Sequence, residues 1–122
     1  MSIGDSAFSY CGSLTSITIP NSVVSIGDSA FYSCRSLENI SVDKNNQHYS
    51  SENGILFNKD KSALIQYPIK KFDTQYTIPN IVTNIGKRAF WGCGNLINII
   101  IPNSVTNIGK YAFSNCSSLK NI

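Results

Sequence analysis

Four cysteines, Cys11, Cys34, Cys93 and Cys116, are the side chains best suited to chemistry here, and their spacing limits what they can do. The first pair and the last pair are each separated by 23 residues. No Cys-x-x-Cys pair occurs and His48 is the sole imidazole, so the ligand spacing of a structural zinc site is missing. Residues that return at one position of a repeat stack in a ladder with parallel Cβ vectors. That arrangement suits free thiols packed as small hydrophobes better than disulfides. His48 sits in the polar stretch Lys44-Asn45-Asn46-Gln47-His48-Tyr49, next to Ser50, Ser51 and Glu52. Adjacency in a loop is not the spatial relay that a nucleophilic serine requires, and phosphate-loop and dinucleotide fingerprints are absent. The chain reads as noncatalytic, with no cofactor and no metal.

What positions the cysteines is a phrase that occurs four times. It runs Ile3-Gly4-Asp5-Ser6-Ala7-Phe8-Ser9-Tyr10-Cys11, then Ile26 to Cys34, Ile85 to Cys93 and Ile108 to Cys116. Each copy continues to Leu14, Leu37, Leu96 or Leu119 and a short apolar run such as Ile17-Thr18-Ile19-Pro20. Self-similarity at a period of about 20–50 residues marks a stacked array, in which no unit buries its own hydrophobic face.

Residues 14 to 36 show how one unit coils. The alternation of Ile17 and Ile19 with Ser16 and Thr18 predicts a short strand with one buried face. Pro20-Asn21-Ser22 turns the chain, and Val23 and Ile26 point inward again on the opposite wall. Gly27 is expected to relieve a backbone conformation, with Asp28 or Ser29 capping a helical turn. Ala30, Phe31, Cys34 and Leu37 fall at helical spacing, so a single helical turn is expected to press Phe31 into the core. Phe8, Phe90 and Phe113 take the same role. Equivalent strands then lie side by side as a parallel sheet on one wall, with short helices on the other and a right-handed crossover.

The middle of the chain breaks phase. Val42 and Ile78 occupy equivalent positions yet lie 36 residues apart, so an insert falls within 43–77. There Gly54-Ile55-Leu56-Phe57 and Ala63-Leu64-Ile65-Gln66-Tyr67 flank a polar turn, which predicts a β-hairpin near residues 55–67. Ala63 to Tyr67 reads either as a rung of the main sheet or as a strand outside it. The likeness of Tyr67-Pro68 to Ile19-Pro20 favours the rung.

At these residues the chain resembles the BspA-like class of leucine-rich repeats, whose phrase is similar to L-x-x-I-x-I-P-x-x-V-x-x-I-G-x-x-A-F-x-x-C-x-x. It stands here as Leu14 to Ser36 and Leu96 to Ser118, with half-phrases at both ends. Residues 43 to 71 resemble the family's recurring insert. The resemblance covers nearly the whole chain. It departs at Tyr76, in place of the first strand Ile, and at Asn80-Ile81-Val82. It implies an α/β repeat solenoid, a right-handed leucine-rich-repeat array forming one domain over 1–122 with about four repeats. It also implies a home on surface or secreted proteins, often adhesins, with no catalytic residues to carry over.

The remaining features bound the partners. The net charge of +3 is spread among acids, so no nucleic-acid footprint emerges. No apolar stretch reaches the roughly 18 residues of a membrane span, and no signal-peptide pattern follows Met1. Asn39-Ile40-Ser41 and Asn115-Cys116-Ser117 match the glycosylation acceptor pattern by chance, since both fall on structured positions. The chain opens and closes in mid-phrase, so it is expected to be a piece of a longer array whose uncapped ends self-associate. Strand positions aimed away from the core are Ser16, Thr18, Asn39, Ser41, Gln75, Thr77, Asn98 and Ile100. They form a candidate strip for a protein or cell-surface macromolecule. Tyr10, Tyr32 and Trp91 near the core Phe either anchor a protein contact or cover neighbouring coils. The functional expectation is recognition by a surface adhesin; the alternative is a spacer or scaffold carrying another domain.

Overall fold

The computed structural model describes residues 2–4, 7–27 and 29–120. The chain winds into a solenoid of about five coils, and the coil-to-coil strand pairs are parallel. One wall is formed by β2 (Ser16–Ile19), β4 (Asn39–Val42), β8 (Gln75–Thr77) and β10 (Asn98–Ile100). The opposite wall carries β1 (Ser2–Ile3), β3 (Ser25–Ile26), β7 (Ala63–Gln66), β9 (Asn84–Ile85) and β11 (Asn107–Ile108). Between β4 and β7 the insert adds β5 (Tyr49–Glu52) and β6 (Ile55–Asn58).

The third face of each coil is where the expectation of helical turns fails. No helix occurs among the described residues; successive tight turns take its place. Ser29, Ser33, Arg88, Tyr111 and Asn115 hold φ between 57° and 63°, a left-handed conformation that a right-handed helix cannot continue through. Ala30 N–H bonds back three residues to Gly27 O, and Cys34 N–H to Phe31 O. Tyr32 and Trp91 N–H do the same, to Ser29 and Arg88 O, while alternate amides reach across to the next coil. Phe8 N–H donates to Ala30 O at 2.8 Å, and Phe90 N–H donates to Ala112 O at 2.8 Å. Cross-coil bonding satisfies the backbone that a helix would satisfy internally. Asp28, expected as a helix cap, lies outside the described residues. Ser29 instead accepts cross-coil hydrogen bonds, from Ser9 Oγ at its carbonyl and from Arg88 at its hydroxyl.

The Ile-Gly pair also has a different cause from the one expected. Gly86 and Gly109 are not at positive φ, which among the described glycines is confined to Gly54 and Gly92. Close approach of coils explains them better. A Cβ on Gly109 would stand 2.5 Å from Lys87 N and 2.6 Å from Gly86 C, both backbone atoms. Gly109→Ala is therefore expected to cost about 2–3 kcal/mol by overpacking. Gly12→Ala, with nothing within 4 Å of the new methyl, is the matched control. Urea unfolding of the two variants measures the contrast, and equal midpoints would contradict the close-approach account.

Two apolar clusters fill the interior. Ile19, Phe31, Leu37 and Ile40 belong to the first; Tyr67, Ile85, Phe90 and Leu96 belong to the second. β6 runs between them, and its period-2 geometry sends Leu56 into the first cluster and Ile55 and Phe57 into the second. The insert is thus an internal partition of the core. The expected hairpin is present as antiparallel β6 and β7, with a bulge at Leu56/Phe57. A second hairpin, not expected, joins β5 to β6 through Asn53-Gly54. Both turn residues have positive φ, 53° and 79°, the backbone of a type I′ turn.

β7 does enter the array, but not on the wall that the Tyr67-Pro68 likeness indicated. It pairs with β9 through Ala63↔Asn84 and Leu64↔Ile85. Tyr67 N–H then donates to Ala89 O at 2.7 Å, as Phe90 N–H does to Ala112 O. Tyr67 therefore occupies a core-Phe position, and its ring stacks on Phe90 at 5.1 Å. Burial raises the affinity of its hydroxyl for its proton, and that hydroxyl has no hydrogen-bond partner. Tyr67→Phe is expected to raise unfolding stability by about 1 kcal/mol, because a buried unpaired hydroxyl costs about that much in lost hydration. Thermal melting of the pair of proteins tests the sign.

Candidate functional site

The cysteine ladder is structural. All four thiols are free, with Cys34 and Cys93 buried and Cys11 and Cys116 half-buried. The shortest Sγ contact of each runs to an aromatic residue's carbonyl on the preceding coil: Cys34 Sγ donates to Phe8 O at 2.9 Å, Cys116 Sγ to Phe90 O at 3.0 Å and Cys93 Sγ to Tyr67 O at 3.7 Å. Desolvation pushes the Cys34, Cys93 and Cys116 thiols up from their ordinary value, which disfavours the reactive thiolate. Iodoacetamide at neutral pH is expected to spare Cys34 and Cys93 in the native chain and label both in urea. Peptide mass spectrometry reads the difference. No group of three metal-ligating side chains stands together among the described residues. His48 is exposed in the loop before β5.

The strand-face strip is built by parallel register. Ser16 lies beside Asn39 and Thr18 beside Ser41; Gln75 lies beside Asn98 and Thr77 beside Ile100. All eight side chains alternate with core residues such as Ile40 and Ile99 and are exposed or half-buried. The strip is not continuous, however. β2–β4 and β8–β10 are separate two-stranded sheets. The Asn53-Gly54 turn emerges between them, where Ile40 N–H donates to Gly54 O at 2.9 Å and Gly54 abuts the Asn39 side chain. Asn39 Nδ2 also donates to Ser41 Oγ at 2.9 Å, so these two polar groups are partly satisfied within β4. Ile100, 53% exposed, is the apolar point on the second patch.

A second surface, on the turn wall, stands out less in the sequence. From Leu64 to Tyr67 the third coil takes three steps where Ile85 to Phe90 takes five. That shortening opens a recess of about 250 Å³ between the second and fourth coils, lined by Gly27, Ser29, Ile65, Gln66 and Gly86 among others. Side chains of the fourth coil bridge it. Arg88 Nη1 donates to Ser29 Oγ at 2.6 Å, and the Trp91 and Tyr32 rings meet at 4.7 Å. Trp91 and Tyr32 thus cover neighbouring coils, one of the two roles expected of them. Tyr10 meets Tyr32 edge-on at 5.5 Å yet is 70% exposed. No pattern local in sequence marks this cluster, because its members are joined only by the missing two residues of a different coil.

The family-model comparison matches the BspA-type leucine-rich repeat region, in six copies, over residues 1–71 and 70–122. Solved structures agree. A leucine-rich cell surface protein of Faecalibacterium prausnitzii is 37% identical with a TM-score of 0.89, covering 99% of this chain and 32% of its own. A leucine-rich repeat protein of Eubacterium ventriosum is 33% identical with a TM-score of 0.91, covering 98% and 38%. The pneumococcal vaccine antigen PcpA is 30% identical with a TM-score of 0.86, covering 88% and 27%. None of the curated proteins matches the chain. The chain spans only about a third of the length of the structures it resembles. With its repeat phrase, its parallel coils and these matches in accord, the chain belongs to the BspA-type leucine-rich repeat family.

Proposed function

We propose that the chain is a noncatalytic recognition module of a bacterial surface or secreted, adhesin-like protein, binding host or microbial macromolecules along the outward face of its strands. The observation that carries this reading is the parallel register, which lines up Ser16, Thr18, Asn39 and Ser41, and then Gln75, Thr77, Asn98 and Ile100, as uncharged rows. Solenoids use such extended faces for partners, with affinity gathered over many coils. The likeness to a protein described as a cell surface protein supports the location.

The test is binding of the purified chain, and of the protein that contains it, to extracellular-matrix proteins and to cells. A variant carrying Thr18→Glu, Thr77→Glu and Ile100→Glu on the strand face is compared alongside. Micromolar binding that the variant loses supports recognition. Absence of any binding at micromolar concentration by the longer protein overturns it in favour of spacer repeats that hold another domain away from the cell.

A further inference from the structure

The turn wall carries a surface that the strand-face reading does not use, and Arg88 is its hub. The guanidinium carbon lies 4.8 Å from the Tyr32 ring centroid and 5.1 Å from that of Tyr111, while Nη1 is held on Ser29 Oγ. Two aromatic rings therefore stand against the guanidinium, and the bond from Nη1 fixes its direction. Two open depressions flank this ridge. One, of about 520 Å³, is lined by Ser9, Tyr10, Ser29, Tyr32 and Arg88. The other, of about 300 Å³, is lined by Tyr32, Arg88, Trp91, Tyr111, Ser114 and Asn115.

The backbone under this surface is held in a costly conformation. Tyr10, Arg88 and Tyr111 sit at φ 62°, 57° and 61°. A bulky residue in the left-handed region costs on the order of 1 kcal/mol or more, and such outliers gather at ligand sites. The chain uses cheaper residues at the same repeat position elsewhere: Gly92 and Asn115 stand where Tyr10 does, at φ 72° and 60°. Folding alone is served as well by glycine or asparagine at Tyr10's position, and by the small Ser29, at φ 63°, at the position of Arg88 and Tyr111, so the large side chains are explained by what they present.

The lining decides the occupant. Neither depression contains an aliphatic side chain, so neither offers the desolvated pocket that anchors a peptide side chain. Aromatic faces beside hydroxyl and amide groups match instead a ring with apolar C–H faces and a polar edge. No acidic residue is among the described lining, and the fixed guanidinium fork suits a carboxylate. From this juxtaposition we infer that the turn wall binds an oligosaccharide bearing a carboxylate, with a sugar ring in each depression and the acid group on the edge of Arg88.

Trp91 is the sole tryptophan of the chain and lines one depression, so its fluorescence is a built-in reporter. The chain is titrated with hyaluronan hexasaccharide and sialyllactose, which separate uronic from sialic acid sources, and with neutral chitotetraose, polyglutamate, an oligothymidylate and a proline-rich peptide. A saturable Trp91 response to one or both acidic sugars, weaker by about tenfold for the neutral sugar, is expected from one charge-assisted contact. Arg88→Lys should weaken the acidic sugar about tenfold or more, since lysine lacks the planar fork. Because Arg88 also ties two coils together, Tyr10→Ser and Tyr111→Ser on exposed rings are read in parallel. Each should weaken binding while a cooperative thermal melt shows the fold intact. A response to no sugar, equal binding of neutral and acidic sugars, equal or tighter binding of polyglutamate, oligothymidylate or the peptide, or full binding by the tyrosine variants overturns the inference. All of these leave the strand-face reading untouched.

Discussion

Phe90→Ala is expected to lower the unfolding free energy by about 3–5 kcal/mol, a large share of the roughly 5–15 kcal/mol that holds a domain folded. Phe90 has no exposed surface, and its ring stacks on Phe113 at 5.0 Å and on Tyr67 at 5.1 Å, with Tyr76 at 6.2 Å. The deletion opens a cavity walled by three coils whose spacing is set by cross-coil backbone bonds, so the site cannot collapse to fill it. Phe113 gives the comparison. It stacks on Phe90, is half-buried, and should cost about half as much when truncated, since part of its surface is already in water. The double variant should cost less than the sum, because the ring pair is lost only once. Urea unfolding followed by far-ultraviolet circular dichroism gives all three values. A loss under about 1 kcal/mol for Phe90→Ala would mean that the aromatic column does not carry the array.

That column is the part of the fold the amino-acid sequence states most openly. Phe8 and Phe31, and beyond the insert Phe90 and Phe113, recur at the repeat period, and an array buries what recurs. The turn wall imitates a helix for a definite reason. Ala30, Phe31, Cys34 and Leu37 have the spacing of a helix face, but consecutive three-residue turns give the same spacing. The difference lies in the positive φ of Ser29 and Ser33, which serine does not advertise. The β5–β6 hairpin does carry a signal, Asn53-Gly54, the pair that a type I′ turn favours. It is masked because Gly54 also opens an apolar run and reads as its first residue. The turn-wall cluster is out of reach of any such reading. Tyr32 meets Trp91, and Arg88 meets Ser29, only because Tyr67 arrives two residues early in the coil between them. A register shift of that kind belongs to the pairing of β7 with β9, not to any local pattern.

Asn46→Ala is the other large loss expected, again about 3–5 kcal/mol, and it comes from polar groups instead of packing. Asn46 is fully buried in a stretch that reads as solvated loop. Its Nδ2 donates to Pro20 O at 2.9 Å and Val23 O at 3.0 Å, while Oδ1 accepts from His48 N–H at 2.7 Å and Tyr49 N–H at 2.9 Å. Every bond of the amide is thus used to fasten the start of the insert onto the turn of the second coil. Alanine leaves backbone groups on both segments without partners, and each buried orphan costs about 1–3 kcal/mol. The damage extends further, because Tyr49 Oη accepts from Ile26 N–H at 2.8 Å and so caps the edge of β3 where no strand of the next coil pairs with it. Asn46→Asp separates the two halves of the amide. The carboxylate keeps the acceptor bonds, loses both donors and faces two carbonyl oxygens in a buried site, which raises its pKa in the folded state. Stability gained from the protonated form is present below the unfolded pKa and is lost as pH rises through the folded one. The Asn46→Asp variant should therefore unfold at higher urea near pH 4 than near pH 7, relative to the parent at each pH. Hydrogen exchange should show Ile26 and Tyr49 losing protection first in both variants. Retained protection at those two amides would show that the insert is held by its apolar strand β6 alone.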